Sequence, residues 1–393
     1  MPIQGSGQIS MRDIKDEFGP SPGNNIGPVS MEDYRLQEED IDGLTDLPLD
    51  ENAGPSNNTD IPKTGSMSFE NFYNAKLNVV VRMTSNTVPG NNPSQQNARN
   101  IYDNNTNASV VKCVGGLRTR PDAVNMGGRR VIIDVNKQIS GGQNSSNKNT
   151  NRQQCAMRTG EWATGTKLTV HIGSSGSIYG AGGDGGRGDS VGGQAENGRS
   201  GTSALGIDFG TSSNKTQIIN KGYIQAGYGG GGGGAGVQED PDKNGETDSF
   251  LFGGGGGGGA GIPGGEGATS NEGYDSGQGS EADTAESDFP GGDGAAQSGG
   301  AGGDNQESLH EDCESGLGGR GCDPAEAVDE GETTEGQTGV NGEENGGPGE
   351  AGTPGYSIIV EGASNTVNIS ESGSGAIAEG NSRIVYSTNV VSS

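Results

Sequence analysis

Short runs of apolar, β-branched residues alternate with polar turn residues through the stretch from residue 76 to residue 172. Four of these runs have the length and composition of β-strands, and loops rich in Asn, Gly and Pro separate them. The runs are KLNVVVRM (76–83), ASVVKCV (108–114), RRVIIDV (129–135) and TKLTVHI (166–172). We therefore predict a β-rich domain over residues 76–172, where the chain is best able to bury a modest core.

A different pattern recurs three times within residues 1–75. The three phrases are GQISMRDI (7–14), GPVSMEDY (27–34) and GSMSFENF (65–72). In each, Ser is followed three residues later by Asp or Asn, with apolar residues around them, which predicts a short helix opened by a capping box. Helices this short are marginal in isolation. We expect them either to dock on a partner or to pack together as a small domain of their own.

Two polyglycine runs dominate the middle of the chain. Six glycines follow Tyr228 and seven follow Phe252, and Ala-Gly closes each run. Two longer phrases, 168–186 and 216–232, share one order: a strand, a turn, a short Ile-containing strand and then glycines. A flexible linker is the common interpretation of glycine runs. Their position directly after strands favours instead a packed bundle of polyglycine II type, with polyproline-II geometry of three residues per turn.

Composition supports an unusual organisation, because 79 glycines and only 27% hydrophobic residues do not suit one ordinary globular domain. From Pro263 to Gly355 the chain has 22 acidic residues and one basic residue, Arg320, after which strand-like sequence returns. We interpret this stretch as long loops between points of a folded tip. The predicted fold is mostly β with irregular structure. Its predicted parts are an attachment segment (1–75), a β-rich domain (76–172), a glycine-rich tip (173–355) and a C-terminal β segment (356–393).

The net charge of −28 disfavours nucleic acids and anionic membranes as partners. No stretch has the roughly 18 apolar residues of a membrane span, and the first ten residues lack the features of a signal peptide. We therefore expect a protein that is soluble and not exported by the secretory route. Cys313 and Cys322 would form a local disulfide only in an oxidising medium.

Candidate chemistry is sparse. In GAGGDGGRGDSVGG the residue Asp189 comes one position too early for a calcium β-roll. His310 and its acidic and cysteine neighbours match no zinc spacing. The sequence has no P-loop, nucleophile elbow or HExxH motif, and the tall stack of parallel apolar rungs of a glycan-degrading tailspike is not evident. We predict no enzymatic activity, no cofactor and no metal.

Four phrases resemble bacteriophage tail-fibre and receptor-binding proteins: GQISMRDIKDEFG (7–19), EWATGTKLTVHIGSSGSIYGAGGDGGRG (161–188), ALGIDF followed by IINKGYIQAGYGGGGGGAG (204–209 and 218–236), and GYSIIVEGASNTVNISESGSGAIAEG (355–380). The resemblance implies a virion tail protein, made in the host cytoplasm. It would attach to other tail proteins through its N-terminus and adhere to a host surface receptor, a glycan or an outer-membrane protein. A homotrimer is favoured, since β-segments this poor in apolar residues would need partner chains to complete a core. A purely structural tail component and a disordered glycine-rich matrix protein are the alternatives.

Two sets of candidate site residues follow from these interpretations. The tail-attachment set consists of apolar residues in or shortly after the first two capped phrases: Ile9, Met11, Ile14, Phe18, Met31 and Tyr34. The receptor-binding set consists of the scarce aromatic residues in or beside the predicted loops: Tyr228, Phe250, Phe252, Tyr274 and Phe289.

Overall fold

The computed structural model describes residues 3–18, 30–34, 61–62, 64–73, 75, 78–83, 97–104, 111–114, 127–141, 154–188, 194–211, 213–235, 237–239, 249–251, 253–268, 293, 301, 344–345, 347–361, 367–371, 376–377 and 384–387. The helices in these ranges are α1 (Met11–Phe18), α2 (Ala98–Asn104) and two 3-10 helices, Met31–Tyr34 and Phe69–Phe72. The strands are β1 (Asn78–Met83), β2 (Val111–Val114), β3 (Arg130–Val135), β4 (Gln138–Ser140), β5 (Cys155–Arg158), β6 (Lys167–Ile172), β7 (Ser177–Tyr179), β8 (Ser203–Ile207), β9 (Thr216–Asn220), β10 (Tyr223–Gln225), β11 (Val237–Glu239), β12 (Ser249–Leu251), β13 (Glu344–Asn345), β14 (Ile358–Glu361), β15 (Val367–Glu371), β16 (Ala376–Ile377) and β17 (Ile384–Ser387).

Twelve of the strands form three parallel sheets that the chain visits in strict rotation. The first sheet contains β3, β6, β9 and β15, the second β4, β7, β10 and β16, and the third β5, β8, β14 and β17. All neighbours within these three sets pair in parallel. The chain therefore winds through four coils of three strands, which is a short three-sided parallel β-helix. We call it the coil.

The interior of the coil is built from apolar residues stacked in register from one turn to the next. In the second sheet Ile139, Ile178 and Ile224 lie directly above one another, and each is at most 1% exposed. Ile133, Val170 and Ile218 do the same in the first sheet, and Met157, Leu205 and Ile358 in the third. Because full burial of one such side chain contributes about 1.5–3 kcal/mol, these ladders are the main source of the coil's stability.

One end of the coil is closed by the chain that precedes it. Strand β1 pairs in parallel with β3, and β2 pairs antiparallel with β1, so the first sheet is extended beyond the first turn. Beside them, Tyr102 of α2 packs edge-on against Trp162 at 5.3 Å between ring centroids. Solenoid folds need such terminal caps because an open coil leaves apolar surface and strand edges exposed.

The mostly-β prediction is confirmed, and the four predicted strands are present as β1, β2, β3 and β6. The prediction that parallel apolar rungs are missing was wrong, since the coil is a stack of them. The rungs are only two to six residues long, and the third turn leaves the coil after β10 and returns at β14. The first sheet also runs across the predicted domain boundaries at 172 and 355, because β9 and β15 extend the sheet that holds β3 and β6.

The three repeated phrases near the N-terminus form one small apolar cluster. Its residues are Ile3, Ile9, Ile14, Phe18, Tyr34, Ile61, Phe72 and Ala75, with Met11, Met31, Met67 and Tyr73 packed against them. The helix that each phrase opens contributes one buried aromatic ring: Phe18 lies 6.4 Å from Tyr34 and 6.2 Å from Phe72 between centroids. We call the described residues from 3 to 75 the N-terminal module.

The capping geometry predicted for these phrases is confirmed. The backbone N–H groups of Ser10 and Ser30 donate to the carboxylates of Asp13 and Asp33, each at 2.8 Å. In the third phrase the N–H of Ser68 donates to Asn71 Oδ1 at 2.7 Å. The caps satisfy backbone groups that the first turn of a helix leaves without partners.

Candidate functional site

Six glycine-rich segments lie beside one corner of the coil, between its second and third sheets. Segments 1 and 2 connect β7 to β8, and segments 3 to 6 lie between β10 and β14. They are segment 1 (180–188), segment 2 (194–202), segment 3 (226–235), segment 4 (253–261), segment 5 (262–268) and segment 6 (347–355). We call them together the glycine array.

Backbone hydrogen bonds join these segments at every third residue. From segment 3, the N–H groups of Gly227, Gly230 and Gly233 donate to Thr202, Arg199 and Glu196 of segment 2 at 2.8–3.0 Å. One residue further on, Tyr228, Gly231 and Gly234 donate to Ala260, Gly257 and Gly254 of segment 4, each at 2.8 Å. Segment 3 also accepts bonds from segments 1 and 6 with the same spacing. Its backbone is therefore bonded to four neighbours, unlike a β-strand, which has two.

Glycine is required where the backbones approach one another. A Cβ atom at Gly227, Gly230 or Gly233 would come closer than 3.0 Å to backbone atoms of segment 1, a distance that real Cβ atoms essentially never show. The number of glycines in a segment increases with the number of its faces that pack against other segments. Segment 6 has neighbours on one side only and keeps glycine at every third position, whereas segment 3, in the middle, is almost entirely glycine.

All the long connections of the array leave from one end. Segments 1 and 3 begin directly after β7 and β10, segment 2 ends directly before β8, and two residues separate the end of segment 6 from β14, so these four ends meet the coil. At the opposite end the bonds Gly233 to Glu196, Gly349 to Gly233 and Gly234 to Gly254 lie next to one another. The connections 189–193, 236–252 and 269–346 therefore all leave from the end remote from the coil, which we call the far end.

A small antiparallel sheet ties two of these connections together. Strand β11 pairs with β12 in a hairpin, and its other edge pairs with β13, which ends two residues before the bridge position Gly347. The second and the third connection are thus held at fixed points just beyond the array. Their sequences are strongly acidic: residues 269–346 contain 20 acidic residues and one basic residue. The arrangement can offer variable, negatively charged loops on a rigid base.

The predicted receptor-binding residues have different locations. Tyr228 is 1% exposed inside segment 3, so its position argues against direct contact with a receptor. Phe250 lies on β12 at the far end, where only its backbone is described. Phe252, Tyr274 and Phe289 lie outside the described residues. A receptor-binding role for these four residues stays a prediction.

The predicted tail-attachment residues are brought together, but they face one another. Ile9, Ile14, Phe18 and Tyr34 are at most 7% exposed in the cluster of the N-terminal module, and Met11 and Met31 pack against it. This burial favours the alternative that the capped helices pack in a small domain of their own. Attachment through the N-terminal module remains a prediction, with Phe69, 39% exposed, as its most exposed large apolar side chain.

Sequence reasoning missed the paired tyrosines at the base of the array. Tyr179 and Tyr223 end and begin adjacent strands, their rings are 5.6 Å apart, and burial raises the pKa of both hydroxyls. The repeated strand-turn-strand phrases contained the signal, because both tyrosines lie in their second strands. These rings pack where segments 1 and 3 leave the coil, so we assign them a structural role.

Metal-binding clusters and membrane-spanning helices are both absent from the part of the chain described above. No group of three or more His, Cys, Asp and Glu residues there could hold a metal ion, while His310, Cys313 and Cys322 lie outside it. None of its helices combines the length and apolar character needed to span a bilayer. Cys155 is a buried cysteine on β5.

Comparison with known proteins gives a family match over most of the chain. The family model of the phage tail fibre adhesin Gp38 matches residues 56–388. A search of curated proteins found no match. Among solved structures, one similar chain comes from the gp37-gp38 adhesin tip complex of the bacteriophage S16 long tail fibre, with 19% identity and a TM-score of 0.29. That alignment covers 66% of this chain and 73% of the other.

Proposed function

Because this chain belongs to the Gp38 family of phage tail fibre adhesins, we propose that its connections at the far end of the glycine array bind a receptor on the host cell surface. The array is the rigid base of this tip, in which the segments take a polyglycine II-type geometry. The N-terminal module joins the protein to other tail proteins of the virion. Adhesion, with no chemical step, is the whole mechanism.

One observation carries the proposal: every long connection of the array leaves from the end remote from the coil. Loops that vary in sequence can be placed on a rigid scaffold without disturbing its core, which is the general reason why binding residues concentrate in loops. The array suits this role because its contacts are made by backbone atoms. Changes in loop sequence leave those contacts intact.

The polyglycine II-type geometry is supported by two features of the array. The hydrogen bonds recur at intervals of three residues, the number of residues per turn in the polyproline II helix. Their partners lie in other segments or, for Gly180, in β10, as required for a helix that has no internal hydrogen bonds.

The receptor is a glycan or an outer-membrane protein of the host. The acidic connections carry many carboxylates, so the electrostatic contribution to binding should weaken as salt concentration rises.

Oligomeric state is a separate matter. The coil completes its apolar core within one chain. This removes the physical reason for expecting a trimer. The mass of the purified protein in solution tests whether it is a monomer or a trimer.

The test is a shuffle of residues 240–248 that keeps their composition, length and charge. A matched control shuffles residues 142–153, the connection between β4 and β5. We expect both variants to melt like the native chain, and only the first to change the adsorption of phage particles or the range of cells bound. Unchanged adsorption after shuffling both 240–248 and 269–343 would favour the alternative of a purely structural tail component.

A further inference from the structure

A buried ion pair connects the N-terminal module to the coil. The guanidinium of Arg129 donates to both carboxylate oxygens of Glu17, at 2.6 and 3.1 Å. The side chain of Glu17 is 0% exposed and that of Arg129 is 10% exposed. Glu17 is the penultimate residue of α1, and Arg129 directly precedes β3, the first strand of the first turn.

The position of Glu17 in its helix is unusual for a carboxylate. Ile14, Glu17 and Phe18 have the spacing that puts residues on one face of a helix, and all three are buried. The helix therefore places a charge on its apolar face. Burial of an unpaired carboxylate is expensive, so this face is stable only where a cation meets it.

We infer that the Glu17–Arg129 pair is an orientation latch that fixes the N-terminal module in one orientation on the coil. Apolar contact is not directional, so a small apolar cluster could rest against the coil at several angles. A bidentate guanidinium–carboxylate pair has a fixed planar geometry, so it allows only one orientation of the module on the coil. Under the proposed function, on which this consequence rests, the latch sets the direction in which the far end points away from the tail.

An exposed ion pair on the same helix supplies a matched control. Arg12 and Asp16 form an i, i+4 pair at 3.8 Å, with side chains 88% and 55% exposed. Pairs of this kind contribute little to stability. Asp16→Asn therefore removes a charge from α1 without touching the latch.

The experiment uses the full chain and four variants: Glu17→Gln, Arg129→Met, the double variant Glu17→Leu with Arg129→Met, and Asp16→Asn. Thermal unfolding measures stability. Orientation is measured as the distance distribution between two spin labels, attached through ketone-bearing residues at the exposed positions 70 and 137 so that neither the control pair nor the native cysteines are involved.

We expect each single latch variant to lower the equilibrium constant for docking by about 10²- to 10³-fold, because it removes the ion-pair partner of a buried charge. The double variant should recover stability, as apolar replacements of buried ion pairs often do, yet show a broad distance distribution. The native chain and Asp16→Asn should both give one narrow distance.

Two results would overturn the latch. A narrow native distance in the double variant would mean that apolar packing alone sets the orientation. Native melting and a native distance in both single variants would mean that the pair contributes nothing. Neither readout involves a phage particle or a host cell, so a failure of the proposed adhesin function would leave this result unaffected.

Discussion

Replacement of one glycine in segment 6 tests whether the glycine array is held by backbone contact. A Cβ atom at Gly349 would meet the backbone carbonyl of Glu196 closer than 3.0 Å. Two residues earlier, a Cβ at Gly347 would meet only the side chain of Gln194, at 3.6 Å, which is an ordinary van der Waals distance. Neither glycine has a positive φ, so the two Ala variants differ in available space and not in backbone strain.

The expected cost follows from the contacts that must give way. To accommodate Gly349→Ala, segment 6 has to move away from segments 2 and 3, which weakens the bonds from Gly349 to Gly233 at 2.9 Å and from Gly198 to Glu350 at 2.8 Å. Overpacking costs about 1–3 kcal/mol, and each weakened hydrogen bond about 1 kcal/mol. We therefore expect a loss of about 3–5 kcal/mol, or a fall in Tm of about 6–10 °C at about 2 °C per kcal/mol.

Gly347→Ala should leave Tm unchanged or raise it slightly, because alanine restricts the unfolded chain more than glycine does. Differential scanning calorimetry of the two variants and the native chain makes the comparison. The reasoning fails if Gly349→Ala melts like the native chain, as it would in a flexible linker, or if Gly347→Ala is destabilised as much as Gly349→Ala.

Two further predictions concern the coil and the N-terminal module. Ile178→Ala, in the centre of the second-sheet ladder, should lower the free energy of unfolding measured in urea by about 2–5 kcal/mol, and Ile178→Val by about 0.5–1.5 kcal/mol. Equal losses in the two variants would contradict a tightly packed ladder. The hydroxyl of Ser10, and then its backbone N–H, donate to Asp13 and hold the pKa of Asp13 below its ordinary value of 3.8. Because the pKa of Asp13 is lower in the folded state, the cap contributes its full stability above pH 3.8 and loses it as pH falls through the lowered value. The helical signal of α1 should therefore depend less on acid pH in Asp13→Asn than in the native chain. An unchanged pH profile in Asp13→Asn would exclude this cap as the source of the acid dependence.

The sequence predicted local structure well where local chemistry determines it. The Ser-capped phrases became short helices because Asp13, Asp33 and Asn71 supply acceptors at the required spacing. The runs of β-branched residues became β1, β2, β3 and β6 for the same local reason. The pattern of apolar and polar residues within each of these segments was sufficient to identify it.

The winding of the chain was harder to predict, because it depends on contacts between distant residues. The two related phrases that end in glycines are successive turns of the coil, with Ile178 and Ile224 stacked in register. The turn before them contains only Ile139 in the same sheet, too little apolar sequence to identify a rung. The third turn is interrupted for more than a hundred residues between β10 and β14, so no sequence period is visible there.

The candidate site was predicted only in outline. The glycine runs and the acidic stretches indicated a scaffold with loops, but Tyr228 was assigned to the loops because it borders a glycine run. Its N–H donates to Ala260 at 2.8 Å, and segment 3 continues on both sides of it. A single non-glycine residue among glycines does not mark the end of a segment, since one face of segment 3 has room for a side chain at that position.

The three-residue spacing of the glycine array acts as a reading frame for insertions and deletions. One residue added inside segment 1 would shift every later residue of the segment to a different face of its helix. A side chain such as that of Asp184 would then point at the backbone of a neighbouring segment. Three added residues would restore the frame at the cost of one extra level. We expect the connections at the far end to accept insertions of any length, whereas the array itself can lengthen or shorten only in steps of three residues.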